Sequence, residues 1–208
     1  MDIHVKKFVV GPLSTNCYLV YEPLSKDTLI IDPGFHDTKI DRFIEVKNLR
    51  PLAIFLTHGH FDHIMGIQHY SNSYKISVYV HKFDHPMLLD SIANHSALFG
   101  TSFIFSGPEI LIEGEESLRV GPFKLIIIET PGHTKGSICI LIDNLLFSGD
   151  TLFVDSIGRM DFPESLPEKM EESLQKLAKL DDKIIVHPGH MGSAKMAVVK
   201  EKNSFLRI

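Results

Sequence analysis

Apolar and polar positions along this chain fall into short strand-length runs, interrupted by a few stretches with helical spacing. Val5–Val10, Cys17–Tyr21 and Asp27–Ile31 predict three successive antiparallel strands, split by Gly-Pro and Pro-containing turns. Asp37–Lys47 predicts a helix with Ile40, Phe43 and Ile44 on one face. Pro51–Leu56 is an unbroken apolar run and predicts a buried strand, with a short helix expected to begin over His63–Tyr70. A strand over Ser77–His81 and a short helix over Phe83–Ser91 follow. Then comes a run of β at Ile110–Ile112, Glu116–Val120, Phe123–Ile128, Ile138–Ile142 and Leu145–Ser148. Pro167–Leu180 carries the clearest helical stripe, Met170, Leu174, Leu177 and Leu180, with Pro167 near its start. Lys183–His187 is the last long apolar strand, and a short basic segment closes the chain.

The chain thus divides into two halves, residues 1 to about 112 and about 113 to 208, each a strand series followed by a helix-rich tail. That arrangement predicts an α/β fold, a four-layer αβ/βα sandwich, as a single domain over residues 1–208. The segment from Lys82 to Glu109 is the least regular, and reads either as a loop with its own apolar cluster or as a flap that shapes substrate choice.

Composition is ordinary for a globular protein, at 44% hydrophobic and 23% charged residues. Lys+Arg of 21 against Asp+Glu of 26 leaves a net charge of −5, against the basic face that nucleic-acid binding needs. No apolar stretch approaches the ~20 residues of a membrane span, and the N-terminal residues lack a signal-peptide pattern, so a cytoplasmic location is expected. Cys17 and Cys139 both lie in apolar runs and read as buried free thiols.

The 12 histidines are the compositional oddity. Thr57-His58-Gly59-His60-Phe61-Asp62-His63 places four metal-competent side chains in the loop leaving the Pro51–Leu56 strand. Three further apolar runs end in the same way, at Pro131-Gly132-His133, at Gly149-Asp150-Thr151 and at His187-Pro188-Gly189-His190. Each places His or Asp after a strand and beside a glycine that permits a tight turn. Ligands from four strand ends are expected to converge on one sheet edge. Imidazole and carboxylate together suit zinc, iron or manganese.

The order HxHxDH, then His, Asp and His, resembles the metallo-β-lactamase superfamily, and within it the small glyoxalase II-like (hydroxyacylglutathione hydrolase-like) proteins. Thr15-Asn16-Cys17-Tyr18, Ile31-Asp32-Pro33-Gly34, Gly149–Phe153, Gly158–Pro163 and Glu201–Leu206 extend the resemblance over nearly the whole chain. The resemblance implies two mixed β-sheets flanked by helices and a site for two divalent ions, zinc first, with iron and manganese as alternatives. It assigns His58, His60 and His133 to one ion, Asp62, His63 and His190 to the other, and Asp150 to a bridge between them. It further implies a metal-bound hydroxide that attacks a small thioester of the S-lactoylglutathione type, with Asp62 orienting it as the catalytic carboxylate. Oligomeric state is left open.

Other residues keep two readings. Asp32 either caps a turn or holds a ligand in place, and Thr57 and Thr151 are candidates for the same supporting role. Arg159 is either a solvated charge or the substrate-binding cation that glyoxalase II turns toward a glutathione carboxylate. His187 reads as a buried, hydrogen-bonded structural histidine, while His4, His36, His69, His81, His85 and His95 read as surface or ordinary core. Two departures bear on glutathione. About 18 residues follow His190, too few for the helical substrate domain of full-length glyoxalase II. Asp161 stands where that enzyme has an aromatic that touches glutathione, and Met191-Gly192-Ser193 where it has Glu-Tyr-Thr after the last metal histidine. The alternative activities are a mononuclear iron persulfide dioxygenase, or hydrolysis of another ester or lactone.

Overall fold

The structure is a computed structural model and describes residues 2–207. It forms two six-stranded mixed sheets. The first runs in chain order: β1 (His4–Val10), β2 (Thr15–Tyr21), β3 (Asp27–Ile31), β4 (Arg50–Phe55), β5 (Val78–His81) and β6 (Glu109–Ile112). Its first two pairings are antiparallel and its last three parallel. The second holds β7 (Ser117–Val120), β8 (Phe123–Glu129), β9 (Ile138–Ile142), β10 (Leu145–Gly149), β11 (Ile185–Pro188) and β12 (Ala194–Lys195). There only β10 and β11 pair in parallel.

The two sheets press together because their inward faces are aromatic and β-branched. Tyr18, Leu29, Ile31 and Phe55 meet Phe123, Leu125, Ile140 and Phe147 in one buried cluster. On the outer side of the first sheet pack α1 (Thr38–Lys47) and α3 (Ile67–Tyr74), through Ile40, Ile44, Ile67 and Tyr70. On the outer side of the second pack α5 (Pro167–Ala178) and α6 (Met196–Lys202), through Met170, Leu174, Leu177, Met196 and Val199. These are the four layers that the alternation of elements predicts. Asp37 caps α1 by accepting a hydrogen bond from Lys39 N at 2.8 Å, a contact worth about 1 kcal/mol.

Three expectations shift. The helix expected from His63 is two short ones, α2 (Phe61–Ile64) and α3, because the chain turns at Gly66, whose N–H donates to Pro33 O. The helix over Phe83–Ser91 shrinks to one turn, α4 (His85–Leu88). The terminal segment is itself structured, as β12 and α6. Cys17 and Cys139 are both free and buried, and burial pushes the Cys139 thiol up to about 12. Among the described residues no helix is long and apolar enough to cross a membrane.

Candidate metal centre

β8 and β10 run in the same direction through their shared antiparallel neighbour β9, and β11 is parallel to β10. The C-terminal ends of all three therefore lie on one edge of the second sheet. His133, Asp150 and His190 leave from that edge. The C-terminal end of β4 meets them from the first sheet, where Ile138 N donates to Thr57 O at 2.9 Å and joins the two loops. Tight backbone geometry makes the approach possible. Gly149 is left-handed, at φ 49°, and a β-carbon there would lie 2.3 Å from Thr57 Oγ1. At Gly189 a β-carbon would lie 2.2 Å from Asp150 Oδ1.

The loops assemble two donor groups. His58, His60 and His133 offer ring nitrogens within 4.8 Å of one another, and Asp62, His63 and His190 offer a second such set. Asp150 stands between the groups. Its Oδ1 is 3.5 Å from His63 Nε2, and its Oδ2 is 3.4 Å from His190 Nε2 and 3.8 Å from His133 Nε2. These are the seven residues that the sequence pattern singles out, in the two groups that the resemblance implies.

The donor set fits divalent ions on a physical ground. His58 Nε2, His63 Nε2 and Asp150 Oδ1 are buried without any hydrogen-bond partner, and each such orphan costs about 1–3 kcal/mol. His60 Nδ1 faces His133 Nε2 at 2.9 Å, an encounter of two ring nitrogens in one donor group. One cation in each donor group would satisfy these lone pairs. The far nitrogens are fixed in turn: His58 Nδ1 lies 3.1 Å from Thr57 Oγ1, His63 Nδ1 is 3.0 Å from Asp32 Oδ2, and His133 Nδ1 is 2.8 Å from the carbonyl of Arg159. Asp32 also accepts from Thr57 N and Oγ1, at 2.8 and 2.6 Å. Asp32 and Thr57 thus hold the first ligand loop. Thr151 does something else: its hydroxyl pairs with Thr130 at 2.9 Å, one layer behind the ligands.

Electrostatics separates the two groups. Burial, reinforced by neighbouring imidazoles, drives the His58 and His60 pKa values well below the usual histidine value, so both stay neutral. Burial also opposes charge on His63 and His190, but Asp62 and Asp150 outweigh it. The His63 value rises well above normal and that of His190 rises to about 9. Burial would raise Asp62 and Asp150 as well, yet the same histidines hold both carboxylates below their ordinary range.

Several residues near the site were not singled out for it by the sequence. Thr15 donates to Asp62 Oδ2 at 2.7 Å from the start of β2. The buried Asp84 carboxylate accepts from Gly59 N at 3.0 Å, Thr134 Oγ1 at 2.6 Å and Gly136 N at 2.6 Å, tying two ligand loops together. His95, expected to be surface or ordinary core, is buried beside His60 and bonds Glu164 at 2.8 Å. Thr15 lies within a noted motif, but nothing in the local sequence marks Asp84 or His95, since their partners are 50 and 69 residues away. His187 stacks on Phe147 and bonds Ser193, and burial lowers its pKa to about 4. Arg159 reaches the cavity, but its guanidinium is engaged by Asp161 through two 2.7 Å bonds.

Comparison with known proteins agrees with this architecture. The family model of the metallo-beta-lactamase superfamily matches residues 10–190. The chain belongs to that superfamily. A probable metallo-hydrolase of Bacillus subtilis, YqgX, is 36% identical over 97% of this chain and 96% of its own length. Hydroxyacylglutathione hydrolase GloC of Haemophilus influenzae is 29% identical, covering 98% of each chain. Among solved structures, BLEG-1 B3 metallo-beta-lactamase superposes with a TM-score of 0.92 at 33% identity, covering 98% of this chain and 99% of that one. TTHA1623, solved in a di-iron-bound form, superposes at 0.83 and 32% identity, covering 97% and 100%. The superfamily makes this protein a metal-dependent hydrolase, with a site of the kind that binds two divalent ions.

Proposed function

We propose that this protein hydrolyses small thioesters, with hydroxyacylglutathione thioesters such as S-lactoylglutathione the first class to assay. The observation that carries the reading is the double donor group with Asp150 between its halves and Asp62 at its margin. GloC lends support by its name alone. His58, His60 and His133 would hold one ion, Asp62, His63 and His190 the other, and Asp150 both. Zinc is the expected metal, with iron supported by the di-iron relative. Two such ions, when bound, supply Lewis acidity and lower the pKa of water toward neutrality.

The chain's own residues set the geometry around that chemistry. Asp62 lines the cavity, and Thr15 fixes its Oδ2. Its Oδ1 is left to orient the attacking water and to carry a proton onward. A thiol leaving group, with an ordinary pKa near ~8.5, needs little acid assistance. Asp32, Thr57 and Asp84 keep the loops from yielding as charge develops.

The test is hydrolysis of S-lactoylglutathione, followed through loss of the thioester absorbance, by protein loaded in turn with zinc, iron and manganese. Turnover by protein holding two ions per chain is expected. No turnover, with two ions confirmed, would remove glutathione thioesters as substrates. One retained iron per chain, with oxygen consumption on a persulfide, would favour the dioxygenase reading instead.

A further inference from the structure

A cavity of about 610 Å³ opens onto the metal-facing side chains, a size suited to a small molecule. Its walls away from Asp62, Asp150, the histidines and Arg159 are apolar. Phe99 and Leu98 come from the segment between α4 and β6, Phe153 follows β10, Phe162 lies between Phe153 and α5, and Leu13 precedes β2. Leu98 is 74% exposed, Phe99 56% and Leu13 43%. Large apolar side chains left open to water around one cavity mark a surface that something apolar covers.

The wall is built rather than loose. Asn94 accepts from Phe61 N, at the start of the metal-loop helix, at 2.9 Å. Its side chain donates to Met87 O and Phe103 O, at 2.8 and 3.0 Å, closing the segment on itself. Phe99 stacks on Phe61 with ring centres 4.4 Å apart, and Phe162 packs on His95 at 4.3 Å. The apolar wall is thus continuous with the ligand loop that carries Asp62.

Charge is spoken for. Among the described residues that line the cavity away from the metal donors, Arg159 carries the positive charge; Asp161 binds it in a two-bond fork, and its Cζ lies 4.2 Å from the Phe162 ring centre. Glu164 is taken by His95. Away from the metal centre, a substrate's free carboxylates would lose their hydration here and meet no unpaired side-chain cation.

We propose that the thioester carries an uncharged alkyl or aryl group that lies against Leu98, Phe99 and Phe162 beside the metal centre, and that glutathione derivatives are poor occupants. The proposal narrows the thioester reading and rests on it for the reacting carbonyl, though not for the apolar wall. Two homologous series test it on protein holding two metal ions: acyl chains lengthened on one small uncharged thiol, and alkyl thiols lengthened on acetyl. In at least one series kcat/KM should rise about fourfold for each buried methylene, and should pass that of S-lactoylglutathione. Phe99→Ser and, at a more exposed position, Leu98→Ser should flatten the rise with both ions retained. A flat or falling trend in both series, or preference for S-lactoylglutathione, would overturn the proposal. Calorimetry with non-hydrolysable alkyl thioethers separates binding at the apolar wall from hydrolysis. Binding that tightens with chain length, with a negative heat-capacity change, supports the apolar wall even if no thioester is cleaved. Cleavage without any chain-length trend in hydrolysis or binding would leave the hydrolase standing and remove the wall.

Discussion

Asp62 stands where Thr15, His63 and His190 meet, its Oδ2 2.7, 3.6 and 3.3 Å from their donor atoms. Asp62→Asn keeps the shape and one acceptor but loses the charge. Its kcat should fall by a factor of ~10² or more, about 3 kcal/mol of barrier, with the fold unchanged by circular dichroism. Full activity with both metals bound would take Asp62 out of the mechanism. His190 supplies a pH test. With its pKa at about 9 in the metal-free chain, the ring is protonated at pH 7, and a metal needs it neutral. Loading at pH 7 should therefore release protons, and affinity should climb with pH and level off above about 9. A dye-based proton count of zero on loading would contradict this. The same raised pKa contributes to the stability of the metal-free protein. A value above that of the unfolded chain means stability fully present below about pH 6.5 and lost as pH rises through about 9, because Asp62 and Asp150 then lose a positive neighbour. Melting in chelator over the range from about pH 7.5 to 9.5, above the pH at which His58 and His60 titrate in the unfolded chain, reads it.

At the scale of elements, the strand ends were legible and their cross-ties were not. Apolar runs followed by Gly and His or Asp announce β4, β8, β10 and β11 and the loops after them, because strand burial and ligand chemistry are both local signals. Asp84 shows the limit. Its value lies in Gly59, brought to it by the pairing of β4 with β5, and in Thr134 and Gly136, brought to it by the packing of one sheet against the other. The folded tail was hidden for a similar reason: α6 is a short helix stabilised by burying Met196 and Val199 in the cluster beside β11, not by its own length. Asp84→Ala leaves the buried N–H groups of Gly59 and Gly136 unpaired and takes one of two partners from the Thr134 hydroxyl. It should cost about 3 kcal/mol, lower Tm by roughly 6–12 °C and weaken metal retention, since two ligand loops lose their tie. An unchanged Tm would show that the loops are held by other means.

For the whole molecule, the two halves each bring part of the centre: His58, His60, Asp62 and His63 from the first sheet's edge, His133, Asp150 and His190 from the second's. Metal binding should therefore clamp the sandwich across its open edge. At a free metal concentration ~100 times Kd, the gain is about 2.7 kcal/mol, a rise of roughly 5–11 °C in Tm, and chelation should reverse it. The same division means that neither half can hold the chemistry alone. The most direct measurement is a titration of metal-free protein with zinc, in equivalents per chain, against the rate of thioester hydrolysis. Activity that climbs to a plateau at two equivalents, together with loss of that plateau in His190→Ala, is the result expected of a centre shared by both sheets. A plateau at one equivalent, or no thioester cleaved with two ions bound, would contradict it.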